Sequence, residues 1–267
     1  MARTISASLA PVIEQLELHG DLVMSTDRLA KVLQSMGNDD EPRRLAYELQ
    51  RAGWLGSLRT RGAWEFLPGA RGGAYGSGDR FIEFRAQHLV DSTWPGVLAM
   101  ESAASVLGLA QRLPEREVLA LPPEVELPKA LVGNWRVVSL ALPHQSGTTV
   151  DRLPTWNLEG LIVGIATRPS AYRDMPGLGQ WLPLATGRID LDRLVGLLEA
   201  SPSSATQRVA YLLAAGGNLE ASSAILSVYP PSGVAWLGPR RAGGHFDSAT
   251  QVNDTALFRF LAVGTGA

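Results

Sequence analysis

The sequence predicts an α+β chain in two parts: a small helical domain that ends in a β-hairpin, then a glycine-rich linker and a larger domain of mixed helices and strands. Three observations carry this. Residues 40–67 read DEPRRLAYELQRAGWLGSLRTRGAWEFL: a short basic helix, a glycine stop, and two apolar runs around an arginine-tipped turn. Residues 68–78, PGARGGAYGSG, contain five glycines, the composition of a linker. A length of 267 residues with 45% apolar content leaves room for a second core beyond it.

In chain order, Leu9, Val12, Ile13 and Leu16 recur at helical spacing, with Thr4 or Ser6 as the cap and Gly20 as the stop. Residues 22–24 are a short strand candidate. Ser25 or Thr26 then caps a second helix, whose inner stripe is Leu29, Val32, Leu33 and Met36 and which ends at Gly37 and Asn38. Pro42 suits the first turn of a third helix, and Asp39, Asp40 and Glu41 favour its positive end. Gly53 closes it. Residues 54–58 and 63–67 are strands joined by Arg59-Thr60-Arg61-Gly62, a connection that carries glycine for its turn. Helix, strand, helix, turn, helix and hairpin is the order of a winged helix-turn-helix. We expect this domain over residues 1–72, a linker over 73–79 and the second domain over 80–267.

The third helix divides its residues by face. Leu45, Leu49 and Ala52 fall on one side; Arg43, Arg44, Tyr47, Gln50 and Arg51 fall on the other. A helix in the major groove needs this division: an apolar side for the core, and donors for base edges and phosphates. A solvated helix face also has this appearance. The hairpin tip shifts the balance, because Arg59, Thr60 and Arg61 would lie on the backbone or in the minor groove. Between Arg43 and Arg71 stand six arginines against two acids, in a protein of net charge −2. That contrast is expected of a DNA-binding edge. Ser25 and Thr26 sit where a helix start could meet a phosphate, as well as where it needs a cap. Only Lys31 and Lys129 are lysines. The position of each arginine therefore carries more information than the choice of arginine.

In the second domain, residues 81–89, 97–107, 191–198 and 206–215 are expected to be helical, with strands at 118–121 and 135–140 and mixed structure after 235; residues 158–167 fit a helix or a buried strand, their length favouring the helix. Glu101 is the one acid in an apolar run, either paired or exposed, with no catalytic partner in view. Residues 76–267 hold 15 basic and 17 acidic groups, so the main nucleic-acid surface is not expected there.

Several chemistries find no support. With no cysteine, disulfides, thiolate metal sites and cysteine nucleophiles are excluded, and a reducing cytoplasm is compatible with that. His19, His88, His144 and His245 are scattered and lack metal-ligand spacing. There is no G-x-x-x-x-G-K motif, no G-x-S-x-G, no dinucleotide fingerprint and no nuclease-type E-x-K around Lys129. No apolar run is long enough for a membrane span, and the N-terminal residues do not read as a signal peptide. No catalytic residue, metal or cofactor is expected.

GWLGSLRTRGAWEFLPG, residues 53–69, resembles the wing of the AbiEi-family antitoxins, which include the mycobacterial MenA-type proteins. ESAASVLGL (101–109), LEGLIVGIATRPSAY (158–172) and SSATQRVAYLLAAGG (203–217) are similar to segments of the same family. The resemblance implies a non-enzymatic autorepressor that binds inverted repeats upstream of its own operon. It also implies a C-terminal domain that counters an AbiEii-type nucleotidyltransferase toxin, with or without a stable complex. Arg168, Tyr172, Gln207, Arg208 and Tyr211 are the polar members of the resembling segments; each could act in the antitoxin function or simply join two helices. Two other classes stay open: a ligand-responsive winged-helix transcription factor, and a winged-helix-targeted DNA-processing enzyme.

Overall fold

The computed structural model describes residues 6–68, 76–240 and 243–261, and its chain divides into two compact units. The first comprises residues 1–95 together with 127–133; the second comprises the rest. The glycines expected to form the linker lie mostly at 69–75, outside the described residues.

The first unit runs α1 (Ala10–Leu18), β1 (Val23–Ser25), α2 (Thr26–Ser35), α3 (Pro42–Arg51), β2 (Leu55–Ser57) and β3 (Ala63–Phe66). The strands form an antiparallel sheet in the order β1-β3-β2, with Met24 opposite Trp64 and Gly56 opposite Glu65. This is the element order and sheet of a winged helix-turn-helix. The expected stripes are its core: Leu16, Met24, Leu29, Leu33, Leu49 and Phe66 are buried together. Leu9 takes the N-cap position of α1, with no side-chain cap; Ser6 instead lends its carbonyl to the Leu9 and Ala10 amides, and Thr4 lies outside the described residues. Gly53 and Gly62 adopt φ of +80° and +78°, conformations that a side chain would strain, so each marks a turn where the sequence places one.

The first unit also includes α4 (Ile82–Val90) and a 3-10 turn at Lys129–Leu131. The pleat of the sheet explains α4. Met24, Trp64 and Phe66 face the three helices, which leaves Val23 and Ala63 on the opposite face. Ala86 of α4 packs against Val23 and Ala63 and covers that face.

The second unit has a mixed five-stranded sheet in the order β6-β5-β4-β8-β7. Its strands are β4 (Val97–Leu98), β5 (Glu117–Leu121), β6 (Trp135–Ser139), β7 (Gly147–Val150) and β8 (Leu153–Trp156). Strands β5 and β6 run parallel, while β7 and β8 form a hairpin whose turn residues Asp151 and Arg152 both have positive φ. Its helices are α5 (Met100–Val106), α6 (Leu158–Thr167), α7 (Met175–Thr186), α8 (Leu191–Leu198), α9 (Ser203–Ala215) and α10 (Leu219–Val228). A small sheet of β10 (His245–Asp247), β11 (Val252–Asp254) and β9 (Ala235–Leu237) follows. Helix α6 is buried on nearly every side, and a Cβ on Gly164 would meet the Trp156 ring at 2.3 Å.

One expectation needs correction. Residues 97–107 are not one helix: Val97 and Leu98 pair with β5, and α5 begins only at Met100, whose φ is +49°. The β7–β8 hairpin, α7 and α10 were not anticipated. Among the described residues, no helix is long and apolar enough to cross a membrane, and no group of three His, Asp or Glu is placed to hold a metal ion.

Candidate nucleic-acid interface and second-domain sites

Helix α3 buries Leu45, Ala46 and Leu49 and exposes Arg43, Arg44, Tyr47, Gln50 and Arg51. Tyr47 is 60% exposed, so a large aromatic ring stands in water among the arginines instead of in the core. The Arg51 guanidinium lies over that ring, 5.8 Å from its centre. Arg44 pairs with Glu48 one turn on, Nε to Oε1 at 3.0 Å. Gln50 Nε2 donates to Ser57 Oγ at 2.7 Å, joining the exposed side of α3 to β2. Arg43, Arg51 and the hairpin-tip Arg61 form no ion pair among the described residues, so their donors face solvent. A groove-reading helix requires such donors, because those already engaged must break a bond before they reach DNA.

The hairpin tip differs from the expectation at two of its three residues. The Arg59 guanidinium donates to the carbonyls of Val132 and Lys129, each contact at 3.3 Å. Thr60 is buried at 5% exposure; its hydroxyl donates to Glu83 Oε2 at 2.9 Å and its amide to the same oxygen at 3.1 Å. These two residues hold the tip in place, and Arg61 alone of the three projects freely. At the start of α2, Ser25 is buried and its Oγ accepts the Arg28 amide at 3.1 Å, so this hydroxyl serves as a cap. Thr26 begins the helix, half-buried.

In the second unit, four of the five polar candidates turn inward. Tyr172 Oη accepts Trp181 Nε1 at 3.0 Å. Gln207 Nε2 donates to the carbonyls of Gly233 and Thr250, at 2.6 and 3.1 Å. Arg208 Nε donates to the Trp236 carbonyl at 2.8 Å and its Nη1 to that of Ala166 at 2.5 Å. Tyr211 Oη donates to Asp254 Oδ2 at 2.8 Å. Thus α9 is fastened to α6, to strands β9 and β11, and to the loops beside them. Burial raises the Tyr172 hydroxyl above the ordinary tyrosine range; burial and then the Asp254 charge do the same for Tyr211. Burial, aided by Arg240, lowers the Arg208 guanidinium from its usual value. Arg168 is exposed beyond the end of α6.

Residues 96–215 match the family model of the AbiEi antitoxin C-terminal domain. This segment is an AbiEi antitoxin domain. The match begins at Gly96, where the second compact unit also begins. A solved structure is similar over nearly the whole chain: the crystal structure of the RV2827C protein from Mycobacterium tuberculosis has a TM-score of 0.75 and 26% identity, covering 97% of this chain and 94% of that one. No curated protein matches.

The AbiEi domain also contains an arrangement that sequence reading missed. Glu101 is not solitary. Its carboxylate accepts Arg136 Nη2 on one oxygen and the Arg173 amide on the other, while Arg136 Nη1 donates to the Ala171 carbonyl. Glu101 and Arg136 line a cavity of about 650 Å³ together with Arg116, Trp135, Arg173 and Asp174. The residue before Glu101 is Met100, fully buried with φ +49°, a strained backbone that places Glu101 at the cavity. The visible signal was an acid inside an apolar run. Its partner lies 35 residues away, beyond the reach of any spacing rule. Asp254, fully buried, also went unnoticed: it accepts the Tyr211 hydroxyl and the amides of Ala256 and Leu257.

Proposed function

We propose that the protein is a DNA-binding autorepressor and antitoxin of a bacterial toxin–antitoxin operon. Its first unit reads an inverted repeat upstream of its own gene, and its AbiEi domain counters an AbiEii-type nucleotidyltransferase toxin without catalysing a reaction itself. Both acts place it in the cytoplasm. The supporting observation is the solvent-facing set of Arg43, Arg44, Tyr47, Gln50 and Arg51 on α3 beside a hairpin tipped by Arg61, in a chain that carries an AbiEi antitoxin domain. In this reading Arg51 approaches base edges and Arg43 and Arg61 neutralise phosphates, while Arg44 and Gln50 exchange their bonds to Glu48 and Ser57 for DNA. Among the candidates of the AbiEi domain, Arg168 has its side chain in solvent and is the one available to a partner. The test is fluorescence anisotropy of the protein on duplex from upstream of its gene, beside a scrambled duplex, at several salt concentrations. A preference of about a thousandfold, the low end for specific binders, is expected. Equal binding to both duplexes would remove the autorepressor role.

One observation favours a second reading, a ligand-responsive regulator. The cavity around Glu101 and Arg136 lies within the volume range of small-molecule sites and carries charges of both signs. A rise in melting temperature with a small zwitterionic compound, absent after Arg136→Ala, would support it. No shift across a panel of amino acids and nucleotides would set it aside.

A further inference from the structure

We infer that Glu83, with the chain segment at residues 127–133, clamps the wing so that Arg61 is held ready for DNA. The inference rests on the DNA-reading role proposed above. Arg59 N–H donates to Glu83 Oε1 at 2.6 Å, and the Thr60 amide and hydroxyl both donate to Oε2. One carboxylate, from the first turn of α4, thus gathers three donors from two successive wing residues. The Arg59 side chain leaves in another direction and ties the turn to the Val132 and Lys129 carbonyls. A short hairpin has few internal bonds, and an exposed tip frays readily. Here the tip is fixed at both residues that precede Arg61. Neither Glu83 nor residues 127–133 belong to the helix–hairpin stretch that presents the donors, so they are positioning groups, acting through the wing.

The role of the charge makes the idea testable. Glu83 is an acid under a basic surface. If it acted only by its charge, replacing it with a neutral residue would tighten DNA binding, because a repulsion from phosphate would be gone. A clamp predicts the reverse. In the full-length protein, Glu83→Gln should accelerate amide hydrogen exchange at Arg59 and Thr60 by tenfold or more, with the α3 amides unchanged. On upstream duplex it should weaken binding by about as much as Arg61→Ala and lower the salt dependence by about one phosphate. The double variant should be no weaker than either single one. Arg59→Ala, which removes the carbonyl ties and leaves Glu83 in place, gives the same readouts by a second route should Glu83→Gln fail to fold. Unchanged exchange at Arg59 and Thr60, tighter binding, or additive losses with Arg61→Ala would each overturn the clamp. If the wild-type protein shows no preference for upstream DNA, the reading role fails. The exchange experiment would then still show, by itself, whether Glu83 orders the turn.

Discussion

Helices α3 and α9 present the same kind of signal and use it in opposite ways. Each has arginine, glutamine and tyrosine at helical spacing: Arg43, Tyr47, Gln50 and Arg51 on one, Gln207, Arg208 and Tyr211 on the other. On α3 these side chains face water. On α9, Gln207 and Tyr211 are buried, Arg208 is half-buried, and all three bind fixed partners. The difference lies in the residues between them. Helix α3 sets Arg44 and Glu48 among its polar residues, whereas α9 surrounds its own with alanine, leucine and valine that are themselves buried. A polar residue surrounded by polar neighbours marks a surface. The same residue in an apolar helix has to find a bond inside, because a buried group without one costs about 1–3 kcal/mol.

The largest effect should come from the inward side. Asp254→Ala removes the acceptor of three buried donors, the Tyr211 hydroxyl and two backbone amides. Chemical denaturation should show a loss of about 3 kcal/mol, in the range for breaking a buried polar network. Tyr211→Phe leaves Asp254 its two amide bonds and should cost less, about 1 kcal/mol. If both variants unfold at the wild-type midpoint, the α9 contacts do not contribute as the geometry implies.

On the outward side the readout changes. Arg51→Ala should leave the denaturation midpoint within experimental error, since the side chain is exposed and has no carboxylate partner. It should weaken binding to upstream duplex by about 1–3 kcal/mol, and binding to scrambled duplex by less. Equal losses on both duplexes would move Arg51 from base reading to phosphate contact. A fall in stability would blur the contrast between the two helices altogether.

The same contrast explains what was legible in the sequence. Half-exposed helices alternate polar and apolar residues with a 3.6-residue period, so α1, α2 and α3 could be placed closely: the last was expected from Pro42 to the Gly53 stop and spans Pro42–Arg51. Helices apolar all round have no such contrast. In residues 97–107 the period could not separate the strand Val97–Leu98 from the helix after it. Helix α7 gives no clear signal, because Pro176, Gly177, Gly179 and Pro183 are poor helix formers. In the fold Gly179 has another purpose: a Cβ there would meet the Phe260 carbonyl oxygen at 2.4 Å. At the candidate interface the exposed donors of α3 were legible from periodicity. The clamping roles of Arg59 and Thr60 were not, because their partners Glu83, Lys129 and Val132 come from segments 23 to 73 residues away.

The smallest effect separates two roles for one hydroxyl. Ser25 Oγ accepts the Arg28 amide at the start of α2, a bond worth about 1 kcal/mol when a serine cap is replaced by alanine. A phosphate contact at the same atom would instead appear in DNA binding, as weaker affinity for every sequence. Ser25 is buried, so the cap should account for the whole effect. Ser25→Ala should therefore lower the unfolding free energy slightly, by about 1 kcal/mol, while anisotropy on upstream and scrambled duplex stays at wild-type values once the protein is fully folded. A uniform drop in binding with unchanged stability would reverse the assignment and put the start of α2, alongside α3 and Arg61, on the DNA backbone.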